Sequence, residues 1–236
     1  MIAGVSPARV REACVIAITV GTVGLSYGAL AATAGLAPWQ TLLMAGLVFG
    51  GASELTFTGV IASGGSPVAG ALGAVLVNTR NLAFGLATGP ALKRGAASYL
   101  GAHFLHDEPS AFAAAVSLDV PPGPERRRAR ANAFWLLGVL DLVFWLISSM
   151  AGQWLGSVID ADALGLDAAF PVILVCLVLG SLRDRPALAA GLIGMLVAFL
   201  LIPHLPAGLG PISALLALLP VAAWTMWRSR GKGPRP

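Results

Sequence analysis

Charge is what this chain has least of. Acidic and basic residues make up 11% of its 236 positions, against 57% for hydrophobic ones. A soluble globular domain carries about 25% charged and about 45–50% apolar residues, so a soluble fold is excluded and an integral membrane protein is indicated. Cysteine is nearly absent too. Cys14 and Cys176 both lie in apolar runs, where they read as small buried hydrophobes and not as a disulfide or metal pair. No combination of thiols and histidines has zinc-ligand spacing, and neither a nucleotide-binding motif nor HExxH occurs, so no metal and no cofactor is expected. The alternating stretches of about ten residues that mark a β-barrel are missing as well. The net charge of +4 does not point to nucleic acid, because the basic residues gather at the ends of apolar runs, where they set topology.

What the chain does have is long apolar runs. Seven stand out, at about 12–34, 39–62, 67–92, 131–152, 168–183, 187–203 and 209–228, each near the ~20 residues that span a hydrocarbon core of ~30 Å. They predict an all-α polytopic bundle of seven membrane segments forming one domain over residues 1–236. The first run extends from about Ala13 to Leu36, longer than the roughly 7–15 residues of a signal-peptide core, and is expected to stay as a helix. "GLAPW" and "SGGSP" mark short turns. A more polar region at about 93–130 ends in the Pro-rich, basic "PPGPERRRAR" and reads as a connecting region, solvent-exposed from Pro121. Its part from Ser98 to Leu118 would make an eighth segment if it crosses. The basic block Arg126–Arg128 with Arg130, the pair Arg183 and Arg185, and the tail from Arg228 to residue 236 are expected in the cytoplasm, together with the C-terminus. Seven crossings leave Arg9 and Arg11 outside; eight leave Lys93 and Arg94 outside. A weak echo relates the first three segments to the later ones, with helices beginning after Arg11 and Arg130 and at Pro67 and Pro186. Three-segment repeats with broken helices are a common transporter plan.

Ionisable groups inside such runs carry the chemical signal. Glu54, in "GASELTFTG", would cost about 2.5–3.5 kcal/mol at a helix centre, so it must face a polar interior. It is either an acid satisfied by partners in the bundle or a proton carrier; Gly50, Gly51 and Thr58 share its helical face. In "NTRN", Asn78 and Asn81 share a face while Arg80 points about 100–200° away. All three serve one site only if the helix is interrupted. Arg80 would then pair with Glu54 or with a substrate carboxylate, unless it snorkels to the headgroups. In "HFLHDEPSAF", His103, His106, Asp107 and Glu108 are either an exposed turn or the start of an embedded half-helix; as a metal set they are too loose. Asp141 is another intramembrane acid, read equally as a packed contact or as part of a pathway. Gly21, Gly24 and Gly28 read as a helix-packing face or as a kinked wall near Ser26 and Tyr27. Trp135, Trp145, Trp224 and Trp227 read mostly as interfacial anchors.

Four motifs in order, "FGGASE" at Phe49–Glu54, "NTRN" at Asn78–Asn81, "HDEPSAF" at His106–Phe112 and "GLDAAFPV" at Gly165–Val172, resemble those of the AzlC family, the large subunit of branched-chain amino acid exporters. The resemblance extends to about Gly210. It implies an inner-membrane permease that moves hydrophobic amino acids outward with a small AzlD-like membrane subunit. Two positions depart from the family pattern: Glu54 stands for its usual Gln, and Asn81 for its usual His. The resulting expectation is a substrate site of Glu54, Ser53, Asn78, Arg80, Asn81, Ser26 and Tyr27, with proton antiport through Glu54, Asp107, Glu108 or Asp141. The oligomeric state is left open. The competing readings are an intramembrane transferase built on His103, His106, Asp107 and Glu108, and a membrane subunit that transports nothing itself.

Overall fold

The computed structural model describes residues 2–92, 95–158, 185–205 and 213–230. The expected segment 168–183, Cys176 and the start of 209–228 lie outside the described residues. Within them the regular elements are helices: α1 (Pro7–Thr33), α2 (Pro38–Leu47), α3 (Ala52–Ala62), α4 (Pro67–Asn78), α5 (Asn81–Thr88), α6 (Ala96–His103), α7 (Asp107–Leu118), α8 (Pro124–Val158), α9 (Arg185–Leu201) and α10 (Leu218–Arg230). Three are long and apolar enough to cross a membrane: α1, α8, and α9 with its 3₁₀ extension to His204.

The frame is α1 against α8. The Ser6 hydroxyl accepts from the Arg9 amide at 3.3 Å and Pro7 fills the first turn, a strong helix start. A Cβ on Gly28 would run into the Ser149 carbonyl, and one on Gly152 into the Leu25 carbonyl. The two backbones are therefore in direct contact, which only small residues permit. Contacts advance in the same direction, from Gly4 against Ala129 through Gly21 against Phe144 to Gly156 against Ala29, so the helices run parallel.

Segment 39–62 is not one helix. α2 and α3 have 10 and 11 residues, about 15 Å each, half of a ~30 Å hydrocarbon core. Between them the chain reverses, with φ +43° at Phe49 and +58° at Gly51. Phe57 and Ile61 line one cavity of about 440 Å³ together with Trp39, Gln40, Leu43 and Met44. A continuous helix would hold Gln40 and Ile61 about 30 Å apart, so α3 returns beside α2 as a hairpin. α4 then runs antiparallel to α3, with Gly70 against Phe57 and the Asn78 side chain against Gly50.

α4 passes into α5 through a short joint. Arg80 N bonds Val77 O at 3.4 Å and Ala83 N bonds Arg80 O at 3.1 Å. These three-residue spacings are a 3₁₀ tightening that turns the helix face without unwinding it.

Residues 96–118 are a second hairpin and not an open connection, the stretch 98–118 enters and leaves at one end instead of crossing, and Pro124–Arg130, expected as loop, are the start of α8. Leu105 packs at Gly85, Leu92 at Gly101 and Phe104 at Gly138, so α6 leads inward from the end where α5 finishes. α7 returns outward, burying Phe112, Ala113 and Val116 against Ala133, Phe134 and Leu137, and the residue after it, Asp119, meets Arg9 at 2.8 Å. The proline after the acids starts this helix instead of ending one, because Pro109 falls in the first turn, where its missing N–H costs nothing. The two hairpins thus enter from opposite ends of the α1–α8 frame and their tips meet in the middle.

Candidate functional site

The tips interlock through Phe49. Its ring is 5% exposed and lies 4.8 Å from His106, 5.7 Å from His103 and 5.9 Å from Phe104. A phenylalanine in the left-handed region costs about 1–2 kcal/mol, which three ring contacts of roughly 0.5–1.5 kcal/mol each can offset. Of the two expected alternatives the half-helix is present, α7 starting at Asp107, and the His103 and His106 rings in addition hold the opposite tip.

Glu54 is fully buried and fully engaged. Its Oε2 accepts from the Gly50 and Gly51 amides at 2.9 and 2.7 Å, and its Oε1 accepts from Trp145 Nε1 at 3.1 Å. As the third residue of α3 it caps the free amides of the turn and meets the positive end of the helix dipole. Trp145 is stacked on Tyr27, with ring centroids 5.5 Å apart. Glu54 is thus an acid with partners inside the bundle, which is compatible with both of its readings.

Arg80 does not pair with Glu54. Its Nη1 lies 3.1 Å from Asp107 Oδ2, and its Nη2 donates to the Gly50 carbonyl at 3.4 Å. The peptide turn at Gly50 stands between the acid and the base and keeps them apart. Beside Asp107, Glu108 Oε2 meets His106 Nδ1 at 2.9 Å, so both acids sit at the positive amino end of α7. Around this junction several buried polar atoms have no hydrogen-bond partner: Ser53 Oγ, Asn78 Oδ1, Asn81 Oδ1, Asp107 Oδ1 and the Tyr27 hydroxyl. Buried polar groups are ordinarily paired, so this set marks a place equipped to bind something polar.

Other expected residues fall elsewhere. Ser26 bonds its own helix at the Thr22 carbonyl, 3.4 Å away, outside the junction. Asp141 is fully buried on α8 with neither oxygen hydrogen-bonded, one turn before Trp145 and not bonded to Glu54. Among the described residues no three His, Cys, Asp or Glu side chains are grouped to hold a metal. Trp145 is no interfacial anchor: it is 2% exposed and bonds the central acid. Trp135 packs on Phe104 at 5.4 Å. The sequence reading also missed Phe49. For Trp145 the available signal was its place four residues after an intramembrane acid, on the same face; for Phe49 it was its position before two glycines.

The family model described as AzlC protein matches residues 15–159, more than half of the chain. The chain belongs to the AzlC family. No curated protein and no solved structure matches it. AzlC proteins are generally associated with branched-chain amino acid transport, so this one is a membrane protein of a transporter family. The matched stretch contains both hairpins, the 3₁₀ joint and all but the first turns of the frame.

Proposed function

We propose that this AzlC protein is a secondary transporter of the inner membrane that exports branched-chain or other hydrophobic amino acids, in exchange for protons and together with a small AzlD-like subunit. The meeting of the two half-helix tips around Gly50, Arg80 and Asp107 carries this reading. A zwitterion complements an ion pair split in two: its carboxylate suits Arg80 and its ammonium suits Asp107, while Asn78 and Asn81 add hydrogen bonds and apolar walls accept the side chain. Arg80 and Asp107 are 38% and 42% exposed, so a ligand can reach them. Glu54, Asp107, Glu108 and Asp141 are the carboxylates available for proton coupling.

The hairpins also support an orientation. Arg9, Arg11 and the block at Arg126–Arg130 stand at one end, where Leu92 and Gly95 flank Lys93 and Arg94 in sequence; the turns 34–37 and 63–66 at the other end have no basic residue. With the basic end cytoplasmic, no basic block is misplaced. Three passages of the chain through the end of α8 then put the chain's start in the cytoplasm and the end of α8 at the opposite face; the C-terminus is proposed to be cytoplasmic from its basic residues.

Cells preloaded with a leucine-containing dipeptide should release leucine faster when they express the chain with its small subunit, and proteoliposome transport should respond to an imposed pH gradient. Equal efflux with and without the chain overturns export. Indifference to the gradient removes the protons alone.

A further inference from the structure

A second station for a carboxylate lies one residue deeper than the Arg80–Asp107 pair. Three donors converge there on one anion: the amides of Gly50 and Gly51 at 2.9 and 2.7 Å and the indole of Trp145 at 3.1 Å. The anion they hold is the chain's own Glu54. Backbone amides at the positive end of a half-helix are how broken-helix transporters hold the carboxylate of a substrate. An internal side chain bound in that manner has the form of a resident ligand.

Two observations independent of the helix end point the same way. The hydroxyl of Ser53, fully buried, has no hydrogen-bond partner and is the atom that a Cβ on Gly50 would meet first, followed by the Asn78 amide. The hydroxyl of Tyr27, fully buried in its stack on Trp145, has no partner either. Glu54 uses neither hydroxyl. The Ser53 hydroxyl stands beside Gly50, within the reach of a ligand that carries a carboxylate and a further polar group.

We infer that the Gly50–Gly51 turn and Trp145 form a carboxylate seat in which Glu54 is an exchangeable occupant, displaced when a small carboxylate ligand binds. Seat and pair share Gly50, whose amide serves the seat and whose carbonyl is held by Arg80. A ligand carboxylate handed from Arg80 to the seat therefore moves past a single residue, and Glu54 must leave as it arrives. For its physiological ligand this rests on the transport reading; for the seat itself it does not.

The test uses the full-length protein in lipid nanodiscs, with acetate as probe and acetamide as the neutral control of the same shape. Glu54→Ala removes the occupant and leaves its space. Acetate should raise the Tm of this variant saturably, by about 3 °C at ten times its dissociation constant, while wild type and the acetamide control stay unmoved. A folded variant that ignores acetate, or responds equally to acetamide, overturns the seat. If Glu54→Ala folds only with acetate present, the seat is supported. If it folds in neither condition, Glu54→Gln replaces it: its amide accepts more weakly, so acetate and not acetamide should still shift Tm, and no difference between the two overturns the proposal. L-leucine against L-leucinol, which lacks the carboxylate, then reports on the natural ligand. Glu54→Gln should bind L-leucine about tenfold more tightly than wild type and L-leucinol equally. If leucine binds neither protein while acetate binds the variant, the transport reading falls and the seat stands.

Discussion

Glu54 and Arg80 hold opposite sides of one peptide residue: the amide of Gly50 donates to the Glu54 carboxylate at 2.9 Å, and its carbonyl accepts from the Arg80 guanidinium at 3.4 Å. The acid and the base fix the geometry of the turn between them instead of neutralising each other. Each is then left with a separate charge partner or donor set, Asp107 for Arg80 and the Trp145 indole for Glu54.

Arg80→Gln should lower transport more than tenfold while changing stability by no more than about 1 kcal/mol, since the Arg80–Asp107 pair is half-exposed and such pairs contribute little to folding. Flux and Tm measured on the same preparation check this. A loss of Tm in proportion to the loss of flux would assign Arg80 to the fold alone.

Phe49→Ala should destabilise the protein by about 3–5 kcal/mol, through loss of the ring contacts to His103, Phe104 and His106. Phe49→Gly loses the same rings but adopts φ +43° without strain, so it should be the more stable of the two by about 1 kcal/mol. Thermal unfolding in detergent ranks them. The reverse order would contradict the turn.

Single cysteines report the hairpins, in a background lacking Cys14 and Cys176. Thr33→Cys and Ser63→Cys should react with an impermeant maleimide from the same side of the membrane, and Pro122→Cys from the other. If segment 39–62 crossed as one helix, the first two would react from opposite sides.

Asp119 stands outside the helices, and its hydrogen bonds to the Arg9 guanidinium hold its carboxyl below the usual range. A folded-state pKa lowered in this way contributes stability that is present above the unfolded value and is lost as pH falls through the folded one. Asp119→Asn should therefore reduce Tm at pH 6 and above, and the difference from wild type should shrink below about pH 4. Because both partners are exposed, the effect is small, and a Tm series from pH 3 to pH 7 would reveal it.

Much of this was legible in the residues. The membrane character follows from composition, and Glu54 and Arg80 announce themselves because ionisable groups in apolar runs need a reason to be there; Asp107, in the more polar stretch, could equally be read as part of an exposed turn. The interruption at Asn78–Asn81 could be anticipated from the opposed faces of Arg80 and its asparagines. The hairpins could not. Hydropathy windows count apolar residues and are blind to direction, so α2 and α3 together imitate one crossing helix of ordinary length. The reversal depends on Phe49 taking a backbone conformation its residue type disfavours, which only the rings of a hairpin fifty residues later make tolerable. The pairing of Arg80 with Asp107 was equally hidden, since it requires both tips to reach the same depth.

The glycine contact between α1 and α8 has a mechanical consequence. Where two helices touch backbone to backbone, as at Gly28 and Gly152, no side chain lies between them to repack, so that crossing is expected to move as one unit. If the proposed transport holds, alternation of access is expected of the two half-length hairpins, whose tips meet at Phe49.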